Sequence, residues 1–170
     1  MQSKTAVRKM AYVGVISSLA IVMGCLEQMI PLPVAFPGVK LGLSNICVIL
    51  ALYHLGYKSA FSVSLIKSLV CGILFWGIGG MVYGVTGALL SFIIMAILYK
   101  TEFLGTVGIS IAGALFHNIG QLVALFLMSG SFSFVYYLSV LGIAAVITGT
   151  ITGIISVIII ERIGHIKPGK

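Results

Sequence analysis

Residues 59–99 read SAFSVSLIKSLVCGILFWGIGGMVYGVTGALLSFIIMAILY, a run whose one charge is Lys67. A helix crosses the hydrocarbon core of a bilayer in about 20 apolar residues. The run is therefore long enough for two crossings, and its glycine cluster is where it breaks, giving spans over 59–78 and 80–99 with Gly79 at the turn. Cut in the same way at polar residues, prolines and glycines, the rest of the chain yields spans over about 7–30, 41–55, 107–128 and 134–160. The reading is an all-α integral membrane bundle of six transmembrane helices that occupies residues 1–170 as a single domain.

Composition agrees. Of 170 residues 60% are hydrophobic and 8% charged, with a mean hydropathy of +1.23, whereas soluble domains carry roughly a quarter charged residues. The net charge of +7 is scattered rather than gathered into the basic stripe a nucleic-acid binder needs. There is no Asp, and the three Glu (Glu27, Glu102, Glu161) stand far apart. That excludes carboxylate-clustered metal sites, Ser-His-Asp triads and P-loop metal sites completed by Asp. The expectation is a protein that is not itself an enzyme and holds no metal or cofactor. Cys25, Cys47 and Cys71 match no CxxC or zinc spacing and read as small buried hydrophobes. The first apolar run continues into Glu27 and a Pro-rich stretch without a small-x-small cleavage site, so it reads as a mature span.

Lys and Arg are retained on the cytoplasmic side of membranes. With six spans, Lys4, Arg8, Lys9, Lys58, Lys100, Arg162, Lys167 and Lys170 all fall on one face. The expected topology is a multi-pass bacterial plasma-membrane protein with both termini cytoplasmic. Trp76, Tyr83, Tyr99, Tyr136 and Tyr137 near span ends read as interfacial anchors, and Glu102 and Glu161 as surface charges.

Ionisable and amide side chains inside lipid are costly and mark internal sites by default. Glu27 lies near the outer end of the first span and Lys40 precedes the second. Asn45 begins the second span. Lys67 sits nine residues into the third, roughly 13 Å deep, and His117, Asn118 and Gln121 lie halfway along the fifth. With alternating span directions all of them fall at the midplane or in the outer half. They are expected to line one outward-opening cavity for a polar or anionic molecule, with Lys67 as its central cation and the proline-stiffened 31–37 stretch as its cover. The competing reading is a structural cluster in which Glu27 pairs with Lys67 or Lys40. Small residues at four-residue spacing, in Ala20-x-x-x-Gly24, Gly80-x-x-x-Gly84 and Gly149-x-x-x-Gly153, let helix backbones approach closely, inside the bundle or toward a partner. Gly14, Ser18 and Ala20 of the first span are the expected partner-docking face.

The strings PGVKLGLSNI (37–46), EQMIP (27–31) and ALFHNIGQ (114–121) carry a resemblance. Together they resemble the membrane family described as Gx transporter or heptaprenyl diphosphate synthase component I, over nearly the whole chain. That family is similar to the substrate-binding S components of energy-coupling-factor (ECF) transporters, six-helix proteins that bind vitamins from outside and dock on a transmembrane coupling subunit and two ATPases. Related membrane proteins also occur in flavin-based extracellular electron transfer. The resemblance implies a substrate-binding or uptake protein whose ligand is vitamin-like, a flavin, a quinone or a prenyl compound, and whose energy comes from partner subunits. The alternative it implies is a non-catalytic membrane subunit in heptaprenyl diphosphate or isoprenoid-quinone synthesis, or in quinone-to-flavin electron transfer.

Overall fold

The computed structural model describes residues 2–30, 41–130, 136 and 138–164. These residues build five helices: α1 (Gln2–Met29), α2 (Leu43–Leu55), α3 (Tyr57–Thr101), α4 (Thr106–Ser129) and α5 (Leu138–Ile163). Among the described residues there is no strand. Helices α1, α3, α4 and α5 are long and apolar enough to cross a membrane, and α2 is shorter. Their outward faces carry Met10, Val15, Ile73, Leu74, Ile78, Leu127 and Ile143, each more than half exposed. Apolar surface on that scale suits lipid rather than water. The chain is a helical membrane protein.

Five helices stand where six were expected, because the third and fourth expected spans are joined through a one-residue break. At 45 residues, a straight α3 would run about 67 Å, twice the hydrocarbon thickness. Instead Gly77 adopts φ 65° and ψ −154°, a region open essentially to glycine alone. The chain reverses there, and the two arms run antiparallel along their whole length. A Cβ built on Gly72 would lie 2.7 Å from Met81 Cα, and one on Gly84 would lie 3.4 Å from the Ser68 carbonyl oxygen. Farther from the turn, the Phe61 and Phe92 rings are 5.3 Å apart and those of Tyr57 and Tyr99 5.6 Å. The reversal is thus at Gly77 rather than Gly79.

The middle of α2 is apolar, as suits a helix surrounded by others, and its Cys47, Val48, Ile49, Ala51 and Leu52 form the centre of the core. Glycines set the other contacts. Gly149 and Gly153 bring the α5 backbone against α4, where added Cβ atoms would lie 2.7 Å from Ile111 Cα and 2.8 Å from Val107 Cα. Gly24 faces Cys71, Gly113 faces Met95, and Gly120 abuts the backbone at Thr86 and Gly87. Ser110 Oγ and Thr152 Oγ1 share a buried hydrogen bond of 2.9 Å across the α4–α5 seam. Close backbone approach with interhelical hydrogen bonding is how helices associate where lipid provides no hydrophobic drive.

Candidate functional site

Gly56 alone separates α2 from α3, so the two helices leave one level of the bundle side by side. Counting back from Leu55, Ser44 lies about 17 Å from that level, and counting forward from Tyr57, Lys67 lies about 15 Å from it, at 1.5 Å per residue. The two meet there: Lys67 Nζ donates to Ser44 Oγ at 3.1 Å. The shortness of α2 therefore places its N-terminus inside the bundle, at the depth of the buried lysine.

The start of α2 is built by Gly42, which takes the left-handed conformation (φ 75°, ψ 19°) as N-cap and has no side-chain capping bond. A non-glycine residue would be strained there. The Asn45 N–H closes the first turn on the Gly42 carbonyl at 2.8 Å. The Gly42 N–H itself donates to Glu27 Oε1 at 2.5 Å, linking the last turn of α1 to the first of α2. Glu27 and Lys67 are 7% and 8% exposed.

Around them lies a cavity of about 60 Å³. Glu27, Ser44 and Asn45 line it from α1 and α2, Lys67 from α3, His117 and Asn118 from α4, and Thr148 and Thr152 from α5. Gly42, Ala114, Ala144 and Ala145 complete the wall and leave the space open. Asn118 Nδ2 donates to the Leu141 carbonyl at 3.0 Å, holding α4 against α5 at the rim. The volume is well below the roughly 150 Å³ of an apolar cavity that admits benzene.

Five of the seven expected ligand-binding residues, Glu27, Asn45, Lys67, His117 and Asn118, thus line one cavity. Gln121 does not. It is 2% exposed one turn beyond His117, its Cγ 2.9 Å from where a Cβ on Gly87 would sit. Its Nε2 is buried with no hydrogen-bond partner among the described residues. Lys40 and the 31–37 cover lie outside the described residues. The expected docking residues are split: Gly14 and Ser18 share an exposed face of α1, where Ser18 Oγ donates to the Gly14 carbonyl at 3.0 Å, but Ala20 is 0% exposed in the core. Of the cysteines, Cys47 is buried and Cys25 and Cys71 are half-buried, all as free thiols.

Ser44, Thr148 and Thr152 are lining residues that the sequence did not single out. Thr152 Oγ1 also lies 2.9 Å from the Thr148 carbonyl. Such back-bonding makes a hydroxyl cheap inside a helix and removes the cost that betrays a charged or amide group. The remaining signal was the one-turn spacing of the two threonines on a single face.

The heptaprenyl diphosphate synthase component I family matches residues 16–159. No curated protein and no solved structure matches the chain at significant similarity. The matched span runs from the middle of α1 almost to the end of α5 and contains every described residue of the cavity. The chain therefore belongs to the heptaprenyl diphosphate synthase component I family.

Proposed function

We propose that the protein is a six-span plasma-membrane subunit, both termini cytoplasmic, that captures a small polar or anionic molecule from the outer face and depends on partner subunits for energy. Its two α3 arms count as separate crossings in this reading. The observation that carries it is the burial of Lys67 and Glu27 at one cavity with Asn45, His117 and Asn118. Charges in a membrane interior cost several kcal/mol and by default mark a ligand path or binding site. A helix that starts inside the bundle and points its N-terminus at the cavity is also how membrane carriers present unpaired N–H groups to anionic substrates. The chain itself supplies no catalytic group in this reading. An ECF-type coupling subunit with its ATPases is the partner that fits an S-component role.

The family's name supports a second reading, in which the protein is the accessory membrane subunit of a prenyl diphosphate synthase and the cavity receives a diphosphate-bearing or quinone-like compound. Native mass spectrometry of the protein extracted in mild detergent separates the two. A retained small water-soluble molecule supports capture and uptake. A retained prenyl compound or a co-purifying soluble synthase subunit supports the accessory role.

A further inference from the structure

The Glu27 carboxylate occupies the ground that an anionic ligand would need. The first turn of a helix presents N–H groups that have no acceptor within the helix, and the partial positive charge there favours an anion. At α2 no side chain caps that turn. The anion present is Glu27, bound through Oε1 to the Gly42 N–H. Two residues on, Ser44 receives the Lys67 ammonium. The cation and the helix end thus converge on one corner of the cavity, and the protein's own carboxylate is already in it.

Charge then restricts what a ligand can do. Lys67 and Glu27 balance each other at the cavity wall, with His117 the other titratable side chain on the lining. A second anion beside Glu27 would place two like charges against one ammonium in a poorly screened interior, a repulsion worth several kcal/mol at effective dielectric constants near 20. Glu27, two residues before the end of α1 at Met29, lies in the terminal turn, the part of a helix that opens most readily. We propose that the ligand carries a carboxylate or phosphate group, and that this group takes the place of the Glu27 carboxylate at the start of α2, beside Lys67. Glu27 is then an internal placeholder that keeps the site neutral when empty and gives way on binding. This inference rests on the reading that the cavity binds a ligand.

The test uses the full chain in lipid nanodiscs, with acetate and inorganic phosphate as probes. Because the chain has three Glu and no Asp, the infrared carboxylate bands are few, and the wild-type minus Glu27→Gln spectrum isolates Glu27. At least one probe is expected to shift the Glu27 band. Glu27→Gln is expected to bind that probe about tenfold more tightly or better, since the competing charge is gone, and Lys67→Met is expected not to bind it. If Glu27→Gln fails to fold, the Gly42 amide of the wild-type protein, labelled with ¹⁵N-glycine, serves instead: its resonance is expected to move on adding the anion. Binding that leaves the Glu27 band and the Gly42 amide unchanged would overturn the inference, as would a Glu27→Gln variant that binds no more tightly than wild type. Failure of both anions to bind wild type and variant also overturns it. In that last case, a neutral molecule retained from the membrane in a Lys67-dependent way leaves the ligand-binding reading standing, whereas no Lys67-dependent binding of any kind removes both.

Discussion

The ammonium of Lys67, ten residues into α3, donates to Ser44 Oγ in the first turn of α2 at 3.1 Å. That contact fixes the depth at which a short helix ends inside the bundle and brings the one lysine of the 59–99 run to the helix start that Glu27 also touches.

Gly42→Ala is expected to lower stability by about 1–2 kcal/mol, the cost of holding an L-residue in the left-handed region. Space is not the cause, since an added Cβ would make only an ordinary contact, 3.6 Å from Thr152 Cγ2. Thermal unfolding in detergent, followed by loss of monodispersity, measures the drop. Gly42→Asn should recover part of it, because Asn tolerates this conformation.

Gly77→Ala and Gly79→Ala should differ sharply although only two residues separate them. Gly77 holds the reversal in a conformation closed to alanine, and forcing it costs about 1–3 kcal/mol. Gly79 is helical, and its added Cβ would meet only the flexible end of Met128 at 3.4 Å. Folded yield from membranes should fall for the first and hold for the second.

The α4–α5 seam offers a similar contrast. An added Cβ at Gly149 would lie 2.7 Å from Ile111 Cα, a backbone atom that cannot step aside, whereas one at Gly142 would meet nothing within 4 Å. Gly149→Ala is expected to destabilise by about 1–3 kcal/mol through overpacking. Gly142→Ala should be neutral or slightly stabilising, since alanine is the better helix former. Equal effects of the two would contradict the packing described.

Orientation is checked in a variant whose three cysteines are replaced. With N-terminus and C-terminus inside, a cysteine at Ser129, at the exposed end of α4, should react with an impermeant thiol reagent added to intact cells. One at Thr101, at the exposed end of α3, should react only after permeabilisation. The opposite pattern would reverse the topology.

Much of this architecture was legible in the sequence because lipid penalises polarity so heavily. Helix-forming apolar runs stood out, as did Glu27, Asn45, Lys67, His117 and Asn118, whose presence in such runs needs a reason. The turn between the α3 arms was less legible. Gly77, Gly79 and Gly80 are equivalent as letters, and only φ and ψ select the first of them. Gln121 shares the His117 stripe, yet the returning arm of α3 packs against it at Gly87, a tertiary fact that periodicity does not carry. The separation of Ala20 from Gly14 and Ser18 was available from helix geometry alone. Six residues at 100° each place Ala20 about 240° around α1 from Gly14, while Ser18 is only about 40° away.

The central claim, that the cavity at Lys67 binds a ligand, is tested most directly by native mass spectrometry of wild type and Lys67→Met purified side by side. Methionine keeps the length and packing of the side chain and removes its charge. The account predicts that wild type carries a bound small molecule and that the variant, folded and monodisperse, has lost most of it. A folded Lys67→Met protein that retains the same molecule at the same occupancy would contradict the claim.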